Sequence, residues 1–445
     1  MSHYTEDQLS EYVLRGESVI DPQSIEQHLA RCAECRKALD LVATFDDALR
    51  DPLSWQIADS MAVRREAPPE LLAQARAIAA EDGYARELLL PLVDSPIRFS
   101  EAHVGNDPRF RTLAVIRLLC SIANKTHEQQ PQYGLQLADT ALSICAKLPE
   151  PAKSKSAWFV GTAWKERANA LRYLGRFREA EAALDEAEKA FASDERPEPF
   201  DLAIVAYVRA SVYCQMERFD DAVTNARAAA TTFQEYGDMG RYLSALMAEG
   251  LGYYCADRDI ESAGLMERVA GLARSTGEVE ILSRALVNAA NSYTRLGEHD
   301  KATEFYASAL DLLVALDLPT EYARVSWAVA ALKLETGSYE EGLAGLDASR
   351  IRLLQLGMAN DAALATLDLV AGLLAVGEVD RVPDLCRAIS VTFSSEGVMR
   401  SAKKALAYLA EAVASGQATI EAVRHVRMFL ERLPNHPHEE FQHIQ

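Results

Sequence analysis

Residues 174–191 read LGRFREAEAALDEAEKAF, and this stretch decides the fold. Leu174-Gly175-Arg176-Phe177 is a tight turn built on a glycine, followed by Ala180, Ala183, Leu184, Ala187, Ala190 and Phe191. Those six fall at steps of three and four, the apolar face of one α-helix. The small Ala180 at the start of the stripe lets a second helix approach closely.

The same turn recurs along the chain. Copies stand at Phe219-x-x-Ala222, Ile260-x-x-Ala263, Leu296-Gly297-Glu298-His299-x-x-Ala302, Gly337-Ser338-Tyr339-x-x-Gly342 and Gly377-Glu378-Val379-x-x-Val382. Counted from Phe177 through 219, 260, 299, 339 and 379, the steps are 42, 41, 39, 40 and 40. Fainter copies at Leu135-x-x-Ala138 and Thr419-x-x-Ala422 make about eight units. A helix pair cannot bury its apolar face alone, so neighbouring pairs must stack. The expected class is all-α.

Composition agrees. Only 22 glycines and 16 prolines occur in 445 residues, which favours helices over turn-rich β architectures. Acids outnumber bases 66 to 46, a formal charge of −20 that repels phosphate backbones and disfavours direct nucleic-acid binding. Cys120, Cys145, Cys214, Cys255 and Cys386 stand singly in helical patterns and read as small buried apolar residues. The first residues are polar and acidic, unlike a signal peptide. The most apolar run, Leu369 to Val376, is far short of the roughly 20 residues a membrane helix needs. These features point to a cytoplasmic chain with no membrane partner.

The repeat, a small residue in the first helix and then Leu-Gly-x-aromatic-x-x-Ala, resembles the tetratricopeptide repeat over about residues 109–433. Its period of about 40 exceeds the usual 34, so either the helices are longer or the loops extended. The resemblance implies an α-solenoid of about eight helix pairs that binds a peptide or protein along first-helix side chains. Lys165 and Asn169, four apart on one such helix, resemble half of a carboxylate clamp, and Asn291 occupies Asn169's place in the unit of His299. Arg284, Asn288 and Arg324 fall on nearby rows. An alternative for all six is an ordinary solvated helix face.

Ahead of the array, residues 1–50 read as a compact helical head, 51–108 as a helical linker and 434–445 as a polar tail. A first helix is expected from Thr5, with Leu9, Tyr12 and Val13 on one face. A second opens at Asp21-Pro22 and runs through Ile25, Leu29, Leu39, Val42 and Phe45. Within the linker, Glu70–Ala80 and Tyr84–Leu90 read as two short helices between prolines.

The second helix carries His28-x-x-x-Cys32-x-x-Cys35. At 100° per residue, Cys32 and Cys35 lie about 40° and about 20° from His28, on one narrow face. Two thiolates and an imidazole suit tetrahedral Zn²⁺. A fourth ligand must come from another segment, and His3 is the remaining histidine or cysteine of the head. Water or another group could complete the site instead. A Cys-x-x-Cys pair also fits a redox couple or two packed cysteines, and the in-register His28 favours metal.

The surrounding pattern, Leu9-x-x-Tyr12-x-Leu14-x-Gly16 then Pro22-x-x-Ile25-Glu26-x-His28-Leu29-x-x-Cys32-x-x-Cys35-Arg36-x-x-Leu39, resembles the zinc-binding anti-sigma domain over about residues 3–49. That resemblance implies one structural zinc held by His3, His28, Cys32 and Cys35, and a sigma factor of the extracytoplasmic-function type as protein partner. The head carries ten acids and five bases, which suits a basic client. Only Cys32 and Cys35 would be available to a thiol–disulfide switch. No P-loop, dinucleotide fingerprint, zincin motif or nucleophile elbow occurs, so nothing argues for catalysis. Without a sigma-factor client, the same parts would read as a scaffold or adaptor with a structural zinc cap.

Overall fold

The computed structural model describes residues 3–4, 9, 22–39, 69–93, 99, 101–194, 197–395, 400–433 and 440–442. The chain divides into two compact units, residues 1–80 and 81–445.

In the first unit, α1 (Pro22–Leu29) is followed by a break at residues 30–32 and then α2 (33–39). The expected single second helix is therefore two helices over its described part. The amides of Arg31 and Cys32 both donate to the His28 carbonyl at 2.9 Å, which tightens the last turn of α1. The Arg36 guanidinium then donates to the Leu29 carbonyl at 2.6 Å, satisfying an acceptor that the helix no longer serves. Leu9, Ile25, Leu29 and Cys35 form the small core, with Tyr4, Cys32, Ala38 and Leu39 against it. The expected helix from Thr5 (Leu9 apart), and the positions Val42 and Phe45, lie outside the described residues.

The helix α3 (Pro69–Val93) is one 25-residue element where two short ones were expected. Pro91 falls in its last turn, where its missing amide ends the ladder without breaking the body of the helix. Residues from 81 onward fall in the second compact unit. Ala85, Leu89, Val93, Phe99, Val104 and Phe110 share one core with the first helix pair, and the Tyr133 hydroxyl donates to the Val93 carbonyl at 2.8 Å. Between them lies α4 (Glu101–Asn106).

Eight helix pairs follow among the described residues: α5 (Leu113–Thr126) with α6 (Pro131–Ala146), α7 (Ala157–Tyr173) with α8 (Phe177–Ala192), and α9 (Pro199–Gln215) with α10 (Phe219–Glu235). Next come α11 (Met239–Cys255) with α12 (Asp259–Thr276), and α13 (Val279–Arg295) with α14 (His299–Ala315). The last three are α15 (Pro319–Glu335) with α16 (Tyr339–Gln355), α17 (Ala359–Val376) with α18 (Val382–Ser395), and α19 (Arg400–Ala414) with α20 (Ile420–Arg432).

The helix starts explain the period. From Phe219 to Ala359 a new helix begins every 20 residues, each helix being 17 or 18 residues long. A unit of 40 is thus two long helices with short turns, and the departure from 34 lies in helix length. Two residues before each of these helices the backbone is left-handed, at Glu217, Gly237, Asp257, Gly277, Gly297, Asp317, Gly337 and Gly357. The next amide then bonds back to the carbonyl five residues earlier, as Glu298 does to Tyr293 at 3.0 Å. Helix α12 starts at Asp259, so the unit counted above from Ile260 moves by one residue, and the steps 219, 259, 299 and 339 become 40 each. Glu217 and Asp257 fill glycine positions, so those two copies lack the glycine that marks the turn elsewhere.

A glutamate at φ 58° is strained, because its Cβ crowds the following carbonyl. Glu217→Gly is expected to raise the stability of this region by about 1 kcal/mol, read as a shifted denaturation midpoint.

The array ends differently from its middle. Before the end, first helices of successive pairs pack side by side, as α5 does on α7, α9 on α11 and α11 on α13. At the end, α17 packs on α18, α18 on α19, α19 on α20, and α20 returns to α17. The last pair has exchanged its rows and closed a four-helix ring. Phe441, in the expected polar tail, is buried there against Phe429, with His425 Nε2 2.7 Å from the Gln442 carbonyl. Helix α17 is long and apolar enough to cross a membrane by length and composition, which the sequence reading did not anticipate. Half of it is buried, and its Asp361 and Asp368 hold arginines.

Candidate metal centre and binding groove

The break between α1 and α2 brings the four sulfur and nitrogen donors together. His28 ends α1, Cys32 sits in the break and Cys35 lies in the first turn of α2, so the three are not on one continuous helix face. One ligand atom each of His3, His28, Cys32 and Cys35 lies within 4.8 Å of the others. His3 Nδ1 is 3.4 Å from Cys32 Sγ and 3.5 Å from Cys35 Sγ. Tetrahedral Zn–S and Zn–N bonds require sulfur–nitrogen edges of about 3.6 Å, so this spacing fits. His28 Nε2 is buried without a hydrogen-bond partner, an orphaned lone pair or proton that a metal bond would remove. The backbone N–H of Cys35, then the Cys35 thiol and the two histidines, hold the Cys32 thiol down at about 6, while burial pushes Cys35 up.

Tyr4 anchors the segment that delivers His3. Its ring meets His28 edge-on at 5.1 Å, and its hydroxyl lies 3.2 Å from Ser24 Oγ. The sequence reading missed Glu34, whose Oε2 is 3.2 Å from His3 Nε2. Its signal was its place inside Cys32-Ala33-Glu34-Cys35.

In the array, the ninth residues of the first helices of five successive pairs, α9, α11, α13, α15 and α17, stand 40 apart: Tyr207, Met247, Val287, Trp327 and Leu367. They form the apolar floor of three adjoining cavities of about 360, 510 and 490 Å³. Val287, Arg324 and Val325 are shared by the first two, and Ala331, Glu335, Asp368 and Arg427 by the last two. Of the expected partner-binding residues, Arg284, Asn288, Asn291 and Arg324 line this groove. Arg284 is exposed and, among the described residues, has no ion-pair partner. Arg324 is held by Asp361 at 2.7 Å, and Asn291 Oδ1 accepts from the Tyr306 hydroxyl at 2.6 Å.

Lys165 and Asn169 are placed differently. Both turn to Glu166, a carboxylate only 2% exposed, Lys165 as an ion pair and Asn169 as a hydrogen-bond donor. Burial pushes that carboxyl up against the pull of Lys165, and its Oε2 is 3.8 Å from His127 Nδ1. Burial, with Arg172 and Lys165, holds His127 down at about 4. Lys165 and Asn169 thus sit at a buried acid whose Oε1 is paired with Lys165 and whose Oε2 has no hydrogen-bond partner.

No family model matches the chain, so the resemblance of the head to the anti-sigma domain has no family match behind it, and no curated protein matches either. Solved structures do match. The chain is similar to a signal-transduction ATPase with a tetratricopeptide repeat sensor from Pyrococcus horikoshii, 14% identical with a TM-score of 0.52, over 97% of this chain and 63% of that one. The chain thus spans less than two thirds of that relative, and the likeness is one of fold. The array is a tetratricopeptide-like α-solenoid. Lower similarity extends to a Rap protein complexed with competence and sporulation factor, 11% identical with a TM-score of 0.49, over 80% of this chain and 99% of that one. It also extends to aspartyl phosphate phosphatase F from Bacillus subtilis, 11% identical with a TM-score of 0.47, over 100% and 99%.

Proposed function

We propose that this chain is a non-catalytic, cytoplasmic regulator or adaptor whose solenoid groove binds a peptide or protein segment. The observation that carries the reading is the groove itself. Three adjoining cavities share an apolar floor, and the unpaired Arg284 stands beside Asn288 at one end. An apolar floor supplies affinity, the amide of Asn288 can pair with an extended backbone, and Arg284 can hold a carboxylate. The test uses a positional-scanning library of immobilised hexapeptides. The wild-type chain is expected to select a subset, and Arg284→Glu to lose at least about tenfold in binding to it. Failure of the wild type to select any peptide, or equal binding by the variant, would overturn the reading.

A narrower reading is favoured by the head. A His₂Cys₂ donor set on an acidic unit supports a structural zinc and a basic client, and the client we propose is an extracytoplasmic-function sigma factor. Four protein donors within reach of one ion would suit a structural role and leave no position for substrate. Zinc would tie α1, α2 and the segment of His3 into one surface. Co-expression with a sigma factor encoded beside this gene, followed by co-purification and metal analysis, separates the sigma reading from a scaffold whose zinc is structural only. A chain that carries zinc but does not hold that sigma factor supports the scaffold.

A further inference from the structure

One charged side chain at the metal centre has no role in the ligand set. His3 turns Nδ1 to both sulfurs, and its other ring nitrogen, Nε2, faces Glu34 Oε2 at 3.2 Å. An imidazole that gives Nδ1 to a metal carries its proton on Nε2, so this contact is an N–H donating to a carboxylate. We propose that Glu34 is the positioning residue of the metal centre: it fixes the His3 tautomer and holds the start of the chain over the two thiols. The proposal rests on the metal reading above.

Three observations support it. His3 lies 25 residues before His28, so it must be fetched from a separate segment, and ordering that segment opposes binding. Further ties on this segment are those of Tyr4, to Ser24, to the ring of His28 and through its backbone to Cys35, and the edge contact of His3 with His28, but none of them sets which nitrogen of His3 carries the proton. Glu34 itself rides between the thiols it serves and is 82% exposed, so it has no part in the small core and its removal leaves the fold intact. A carboxylate behind a ligating histidine raises the basicity of the ring and sets its orientation, and its loss typically weakens metal binding 10- to 100-fold.

The experiment measures zinc affinity of the full chain by competition with a chromophoric chelator, with Cys32→Ser to subtract sites elsewhere. Glu34→Ala is expected to bind zinc about 10- to 100-fold more weakly than wild type, and Glu34→Gln, whose amide oxygen can still accept, to fall between. Cobalt-loaded Glu34→Ala should keep the wild-type absorption spectrum, because the ligands are unchanged, whereas His3→Ala should alter it. Equal zinc affinity in wild type and Glu34→Ala overturns the positioning role. So does a cobalt spectrum of Glu34→Ala that changes as that of His3→Ala does. A wild-type chain that takes up no zinc overturns the metal reading itself, which the other outcomes leave standing.

Discussion

Cys35→Ser is expected to take bound zinc from one per chain to essentially none, with the helices of the first unit losing their structure. The core there is Leu9, Ile25, Leu29 and Cys35, far less than a domain of this size needs to fold unaided. Structural zinc supplies roughly 10 kcal/mol or more to such units at neutral pH, so the metal rather than the core decides whether they fold. Cys35 is the natural position to test, being the one ligand that is buried, at 2% exposure. Elemental analysis of the purified chain reads the stoichiometry, and far-ultraviolet circular dichroism reads the helices. Cys120→Ala serves as the control, since that thiol lies in the core of the first helix pair and belongs to no donor cluster. Zinc retained by Cys35→Ser would remove the site from this place in the chain.

The second large effect concerns the terminal ring. Asp368 on α17 accepts from Trp327 Nε1 at 2.8 Å and from Arg427 Nε on α20 at 2.6 Å. Burial pushes this carboxyl up while Arg427 and Trp327 pull it down, so its charge depends on the arginine. Arg427→Ala strands that charge and is expected to cost the ring about 3–5 kcal/mol. Because repeat arrays unfold in parts, the loss should appear as faster hydrogen exchange in α17 to α20 and not in α7 to α12. The deficit should shrink as pH falls, because protonating Asp368 removes the stranded charge. Replacing both partners with apolar residues, Asp368→Leu with Arg427→Met, should restore most of the loss. If the single variant is as stable as wild type, the pair is not what fastens α20 to α17.

Local spacing carried most of the fold. Gly175, Gly297, Gly337 and Gly377 announce turns because a left-handed residue is most often glycine, and the stripes after them announce helices. Where Asp257 takes that conformation no glycine marks the turn, and the register slips by a residue. The exchange of rows at α19 and α20 was hidden for a different reason. It depends on which neighbour a helix chooses, and the apolar stripe of α20 is the same either way. For the candidate metal centre, the cluster of His28, Cys32 and Cys35 was readable from their spacing, but the break at residues 30–32 was not. It is held by Arg36 reaching back to Leu29, a side-chain contact that no periodicity records. The nearness of Lys165 and Asn169 to the buried Glu166 was not readable, because polarity on a first helix looks the same whatever it faces.

The regular beat of helix starts also limits how such a chain can change length. Removing 40 residues between Phe219 and Ala359 rejoins like to like, with each later helix still in its own row. Removing 20 would send every later helix to the opposite row and turn the face bearing Val287, Trp327 and Leu367 away from the groove. The groove can therefore grow or shrink only by whole pairs, and its reach is counted in steps of one unit.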